Sequence, residues 1–336
     1  MNPPSLWNTA RELSSGPGAP GHLAPAPVES LSSKSLGSWM ARGTGRGTAV
    51  WKACLRLIQG QSPECAGAAC PPKTWAWNPR GLGRERVFLE GRAYCTRCWP
   101  AALALRFAAC ASAPVPRTRA HRIPLGLVLL SRGWLTPGQL REGLDRQRRF
   151  GGRLGESLRA LGYAHEDEIT AGLATQWACP VLFFRSAVSE RHLRRVPLHL
   201  QERHRMIPVH YSEPAGVLVL AFSEGVDYAL TQAVAGMLDC RIEPCLAPET
   251  GVRRNLNRLR DLQHSSGSAF ERIFERVRGT GEMSSITESY VLRWDAQRVR
   301  VAVCGASVWA RLEKVGQTLD LLFDAAPESR RPESAV

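Results

Sequence analysis

Pro124–Gln147 reads PLGLVLLSRGWLTPGQLREGLDRQ, and Arg153–Gln176 reads RLGESLRALGYAHEDEITAGLATQ. The second stretch repeats the first at a constant offset of 29 residues. Leu125 aligns with Leu154, Gly126 with Gly155, Leu129 with Leu158 and Gly133 with Gly162. Leu140 aligns with Ile169, Leu144 with Leu173 and Gln147 with Gln176. A fixed-period repeat decides the architecture before any local reading. Two copies are too few for a solenoid, so the pattern predicts a duplicated helical hairpin inside one domain.

Each copy divides into two helices. Leu125, Leu129 and Leu130 form an apolar face, and Gly133 stands where a left-handed residue ends a helix. Thr136, Pro137 and Gln139 then supply an N-cap, a first-turn proline and a capping-box partner. Leu140, Leu144 and Gln147 follow at i, i+4 and i+7 on one face. Copy two repeats the plan with Gly162 as the stop and His165 as a weaker cap. Gly126 and Gly155 fall inside helices, where glycine costs about 1 kcal/mol relative to alanine. Two readings fit them: close approach of a ligand, or tight packing of helix on helix. Gln147 and Gln176 are equally open, as polar edges for a ligand or as half-exposed helix ends.

The 336-residue chain carries a formal charge of +14, almost all of it arginine, since Lys34, Lys52, Lys73 and Lys314 are its lysines. The arginines are scattered and form no basic stripe with interleaved aromatics, so nucleic-acid binding is not expected. The most apolar run, Ala101–Ala113, is broken by Arg106 and is too short to span a bilayer. No secretory signal is legible at the N-terminus, so a cytoplasmic location is expected. Residues 1–48, rich in Pro, Gly, Ser and Ala, are expected to be disordered, and Met40 is a second candidate start.

Six of the ten cysteines lie between Cys54 and Cys110. Cys65 and Cys70 form a C-x4-C pair, and Cys95 and Cys98 a C-x2-C pair after a 24-residue gap. Two close thiolate pairs suit tetrahedral zinc, so 49–112 is expected to be a zinc-ribbon-like module with a structural Zn2+ on those four residues. The C-x4-C spacing departs from the usual two-residue knuckle, and Cys54 and Cys110 are alternative ligands. Unconnected thiols are the competing reading. Between the pairs, RVFLEGRAYC reads as a hairpin turning at Glu90–Gly91, and PAALALRFAAC as a helix. No histidine lies in this unit, which argues against catalysis there. Residues 113–118 read as a proline-containing linker.

Beyond a second expected linker at 261–268, AFERIFERVR places Phe270, Ile273, Phe274 and Val277 at helical spacing. SYVLRWD, RVRVAVCGASVWARLEK and TLDLLFD read as strands. An antiparallel meander with one helix is therefore expected over 269–325, followed by a disordered tail at 326–336. Cys304 reads as a buried small residue, and His192, His199, His204 and His210 as surface residues without metal-ligand spacing. The fold class expected for the whole is multi-domain α+β.

The doubled pattern R-L-G-x-x-L-x-x-x-G-x-x-x-x-x-x-[LI]-x-x-x-L-x-x-Q, with a spacer at Arg148–Gly152, resembles the N-terminal MshEN domain of the GspE/PilB-type ATPases of type II secretion and type IV pilus assembly. The likeness continues through CPVLFF, RVPLHLQERHRMIPVHYS and GVLVLAFSEGVDYALTQAVAGMLDCRIEPCLAPETGV. It covers 119–260. It implies a helical repeat followed by a small α/β part, with cyclic di-GMP as ligand. The residues it would place on that ligand are Arg122, Leu125, Gly126, Leu129, Leu144, Gln147, Arg153, Leu154, Gly155, Leu158, Leu173 and Gln176. Copy one departs from the pattern with Pro124 where arginine is expected, and Arg122 is the nearest substitute.

The chain contains no Gly-Lys dipeptide, so the Walker A loop G-x-x-x-x-G-K-[ST] is missing from it and motor ATPase activity is not expected. A non-catalytic regulator is the expected class, sensing cyclic di-GMP and signalling to a protein partner of a secretion or pilus-type system. The alternative is a docking adaptor for such a machine that binds no nucleotide.

Overall fold

The computed structural model describes residues 65–68, 70, 86–112, 122–266 and 271–325, all within one compact unit. The expectations for 1–48, the 113–118 linker and the 326–336 tail lie outside these residues.

The repeat folds as the hairpin pair expected from its spacing. Copy one gives α2 (Leu125–Ser131) and α3 (Pro137–Phe150), and copy two gives α4 (Leu154–Ala160) and α5 (Glu166–Trp177). The first helix, α1, is Trp99–Ser112, after the second cysteine pair. Gly133 and Gly162 have φ of 69° and 71°, and each ends its helix with the same two hydrogen bonds. Gly133 N–H donates to Leu130 O and Trp134 N–H to Leu129 O, while Gly162 N–H donates to Arg159 O and Tyr163 N–H to Leu158 O. This 5→2 plus 6→1 pattern needs a left-handed residue, which explains both glycines. Thr136 caps α3 reciprocally with Gln139. In copy two the return bond runs from His165 N–H to Glu168 at 2.7 Å.

The copies interlock by exchange, with α2 packing on α5 and α3 on α4. Glycines make the crossings possible. A Cβ on Gly143 would lie 2.6 Å from Leu158 Cδ2, and one on its repeat equivalent Gly172 would lie 2.9 Å from Leu125 Cδ1 and Leu129 Cδ2. On Gly126 it would meet Leu140 at 2.7 Å, and on Gly155 the equivalent Ile169 at 3.0 Å. Packing thus accounts for both in-helix glycines of the motif.

Downstream, α6 (Glu190–Leu193) and α7 (Leu198–Arg203) lead into β3 (Met206–Ser212), β4 (Val217–Phe222), α8 (Tyr228–Leu238), β5 (Arg241–Leu246) and α9 (Glu249–Ser266). The three strands form one sheet in the order β3-β4-β5. CPVLFF contributes a single bridge, Val181 to Leu246, where a strand was expected. The expected joint at 261–268 is helical through Ser266, because α9 continues.

The second sheet has six strands. Its hairpin is β1 (Arg86–Leu89) and β2 (Arg92–Cys95), turned at Glu90 and Gly91 with φ of 49° and 76°, as a two-residue loop of positive φ requires. The tail supplies β6 (Glu271–Val277), α10 (Thr280–Trp294), β7 (Arg298–Cys304), β8 (Ser307–Lys314) and β9 (Gln317–Ala325). The order is β2-β1-β7-β8-β9-β6, with β1 parallel to β7 and β6 parallel to β9. The stretches expected as separate cysteine-rich and tail modules therefore share one sheet.

Two assignments in the tail are reversed. AFERIFERVR is strand over 271–277, not helix, and SYVLRW belongs to α10, not to a strand. The meander β7-β8-β9 is antiparallel as expected.

One face of the six-stranded sheet is covered by α1 and α10 through Trp99, Leu103, Phe107, Met283 and Val291. The opposite face places Cys304, Trp309 and Leu322 in one core with Leu200, Met206, Leu218, Phe222 and Leu230. Alternation along β4 then sends Val219 and Ala221 to a third core beneath α9, with Val252, Leu256 and Leu259. Among the described residues no helix is long and apolar enough to cross a membrane.

Candidate ligand cleft and cysteine cluster

A cleft of about 260 Å³ opens where copy two of the repeat meets the three-stranded layer. Copy one contributes Leu125 and Gln147, and copy two Arg153, Leu154, Gly155, Glu156, Arg159, Glu166, Ile169, Thr170 and Leu173. Ser223, Glu224 and Glu249 close it from the α/β side. Leu125, Leu154 and Leu173 are half-buried and present an apolar floor, while Arg153 is exposed at the rim.

Six of the twelve residues expected on the ligand line this cleft: Leu125, Gln147, Arg153, Leu154, Gly155 and Leu173. The other six do not. Leu129 and Leu158 are fully buried, filling the space over Gly172 and Gly143, so each contributes about 2 kcal/mol of core burial and offers no surface. Gly126 is buried under Leu140, and Leu144 is half-buried outside the lining. Arg122 stacks its guanidinium on Trp177, 3.2 Å from the ring centroid. Gln176 donates to Ile123 O at 2.8 Å, and Gln147 makes the symmetry-related bond to Gly152 O at 3.0 Å. The glutamines thus tie each copy's second helix to the entry of the other copy's first.

The cleft is strongly charged. Arg153 pairs with Glu224, which also pairs with Arg205 at 2.5 Å. Arg205 reaches Glu249 at 3.6 Å, Glu249 reaches Arg159 at 3.7 Å, and Arg159 reaches Glu166 at 3.8 Å. Glu166 is fixed by Thr250, whose N–H and Oγ1 both donate to it at 2.8 Å. None of Arg159, Glu166, Arg205, Glu224 or Glu249 was among the site residues expected from the sequence. A signal for part of the set was present, because Arg153, Glu156, Arg159 and Glu166 stand at repeat positions where copy one has Pro124, Leu127, Leu130 and Pro137. These four charge gains of copy two line the cleft, whereas Asp167 and Glu168, which stand opposite Gly138 and Gln139 of copy one, do not.

Cys65, Cys70, Cys95 and Cys98 come together, their sulfurs all within 4.8 Å of one another. Cys70 Sγ and Cys95 Sγ are 3.9 Å apart. Four thiolates on a tetrahedral zinc with bonds of about 2.3 Å would stand about 3.8 Å apart, so the cluster fits such an ion. The hairpin and the turn into α1 present Cys95 and Cys98, with Cys98 N–H donating to Cys95 O. The backbone N–H groups of Gly67 and Cys95 both point at Cys65 Sγ at 3.4 Å. Gly67 leaves no room for a side chain, since a Cβ there would lie 2.8 Å from Cys98 Cβ. Crowding splits the thiols. Hydrogen bonding to Cys95 leads in pushing Cys98 up to about 12. In Cys95 itself burial works upward, but the backbone N–H groups of Arg97 and Cys98 outweigh it and bring the thiol down to about 7. Cys110 is buried and turned to the core, outside the cluster, and Cys54 lies outside the described residues.

Cys304 is fully buried, as expected, and burial pushes its thiol up to about 12. His199 and His204 are not simple surface residues: they contact Asp324 at 3.0 Å and Asp227 at 3.3 Å.

A repeat of helical hairpins is thus set against a three-stranded α/β layer, with a cleft at their junction. The family model of the MshEN domain matches residues 178–266, and this part of the chain is an MshEN domain. The chain is similar to the type IV pilus assembly ATPase PilB of Myxococcus xanthus, 23% identical over 173 residues, and to PilB of Thermus thermophilus, 28% identical over 121 residues. These matches cover 49% and 36% of this chain but only 30% and 14% of the two relatives, so the chain spans a minor part of their length. Among solved structures it is similar to MshE with cdg, at 28% identity and a TM-score of 0.36, covering 41% of this chain and 99% of that one. It is also similar to the N-terminal domain of XpsE, at 18% identity and a TM-score of 0.32, covering 40% and 92%.

Proposed function

We propose that this protein is a non-catalytic cytoplasmic regulator that binds cyclic di-GMP at the cleft between copy two of the repeat and the α/β layer. Its occupancy would be relayed to a protein partner of a secretion, pilus or motility system. The observation that carries the reading is the doubled RLGxxL…Q motif, whose Leu125, Gln147, Arg153, Leu154, Gly155 and Leu173 converge on that cleft. The chemistry suits such a ligand. Arg153 offers a flat guanidinium for stacking on a base or pairing with a phosphate. Leu125, Leu154 and Leu173 supply an apolar bed beneath it. Pro124 removes the equivalent cation from copy one, and the loss of one charge-assisted contact costs about 1.5–3 kcal/mol, roughly ten- to a hundredfold in affinity.

The four clustered cysteines would hold a structural zinc that supplies a cross-link and no chemistry. Isothermal titration of the full chain with cyclic di-GMP tests the nucleotide reading. Saturable heat is expected, weakened at least tenfold by Arg153→Ala and strengthened by Pro124→Arg. No heat at high micromolar ligand would sink it.

One observation favours the second reading, a docking adaptor that needs no nucleotide. The cleft arginines are already engaged by Glu224, Glu249 and Glu166. Restoring arginine at 124 and still finding no binding would decide for the adaptor.

A further inference from the structure

Six side chains form one line of alternating charge across the cleft: Arg153, Glu224, Arg205, Glu249, Arg159 and Glu166. Arg153, Arg159 and Glu166 belong to copy two of the repeat. Arg205, Glu224 and Glu249 belong to the α/β layer, before β3, after β4 and at the start of α9. Three positive and three negative charges cancel, so the line is neutral and complete without a ligand. It is also the polar seam where the repeat meets that layer, together with the bonds from Thr250 to Glu166.

An anionic ligand cannot simply add to this arrangement. Arg153 meets Glu224 through Nη1 and Arg159 stands 3.7 Å from Glu249, so a phosphate reaching either guanidinium would compete with a carboxylate for it. Two carboxylates would then face the incoming negative charge at close range, a repulsive arrangement unless they move away. We infer that Glu224 and Glu249 are an internal latch, occupying the guanidinium groups a phosphate needs, so that ligand entry and repeat-to-layer closure compete for Arg153 and Arg159. The ligand would act by its differential affinity for the unlatched state, which is the condition for a binding event to shift a conformational equilibrium. The output would be a change in how the repeat sits on the α/β layer, whose core takes in Ala174 of the repeat together with Trp309 and Leu322 of the tail sheet. This inference rests on the cleft being the anion-binding site proposed above.

The test uses the full chain and the variants Glu224→Gln and Glu249→Gln, with Glu213→Gln as a control. Glu213 pairs with Arg191 on the exposed surface. Titration with cyclic di-GMP should show roughly two- to fivefold tighter binding for each cleft variant and no change for the control, the scale of a partly exposed ion pair. Backbone amide exchange without ligand should be faster in both cleft variants at 223–227 and 249–252 and unchanged in the control. Binding by the wild type with no gain in either cleft variant would overturn the latch and leave the nucleotide reading intact. If no form binds cyclic di-GMP, the nucleotide reading fails, and the exchange experiment still decides whether the carboxylates hold the seam closed. Unchanged exchange in the cleft variants would overturn the latch on its own.

Discussion

Gly143 and Gly172 show how much a single missing Cβ decides in this chain. Each sits in a helix, where alanine would normally gain about 1 kcal/mol. At Gly143 that gain is opposed by Leu158, fully buried and 2.6 Å from the position a Cβ would take. Overpacking of this kind costs typically 1–3 kcal/mol, so Gly143→Ala should be a net loss of about 1 kcal/mol in urea unfolding. Gly236 in α8 has open space around it, and Gly236→Ala should stabilise by up to about 1 kcal/mol in the same assay. If Gly143→Ala instead matched Gly236→Ala, the interlocked crossing would be wrong. The paired spacing of Gly126 and Gly155 was legible in the sequence. Whether that space belonged to a ligand or to Leu140 and Ile169 was not, because the two uses demand the same missing atom.

Among the elements, β6 explains the misread tail. Phe274 and Val277 both face the core beneath α1 and α10, three residues apart, because the pairing of β6 with β9 shifts between Glu275 and Val277 at Arg276, which has φ of 59°. A bulge inserts one residue into the strand, so a spacing of three on one face imitates a helical turn. The cysteine hairpin carries a different prediction. Cys95 ends β2, and its partner β1 sends Val87 and Leu89 into the core shared with α10 and β7. Elemental analysis of the purified chain should give one zinc per chain, and Cys95→Ser with Cys98→Ser should abolish it. Removing the metal should also lower the melting temperature of the whole unit. Zinc retained at full stoichiometry by the double variant would rule the cluster out as the metal site.

For the whole molecule, the decisive feature is that the tail is not an appendage. Trp309, Cys304 and Leu322 are fully buried in the same core as Leu218, Leu220 and Phe222 of the α/β layer. At the edge of that contact, Arg311 and Asp320 form a buried, bidentate ion pair at 2.7 and 2.8 Å, with Trp309 Nε1 donating to the same carboxylate. Arg311 also donates to Arg195 O, which ties the tail sheet to the segment before α7. A chain ending at 268 should therefore expose an apolar face and aggregate or bind a hydrophobic dye, as measured by light scattering and fluorescence. A monodisperse, cooperatively melting truncation would contradict the shared core.

Local spacing settled what depends on local interactions: two helical hairpins with their caps, the cysteine hairpin and the helix after it. Each is fixed by side chains within about eight residues of one another, where periodicity and turn chemistry act directly. Tertiary structure alone decided which glycines admit a neighbour, which motif leucines are core and which line the cleft. It also joined the hairpin to the tail in one sheet, through pairs such as Leu89 and Val299 that lie far apart in the chain. The charged line across the cleft is of the same kind. Glu224 and Glu249 find Arg153 and Arg159 only once the repeat is docked on the layer, and no spacing along the chain encodes that meeting.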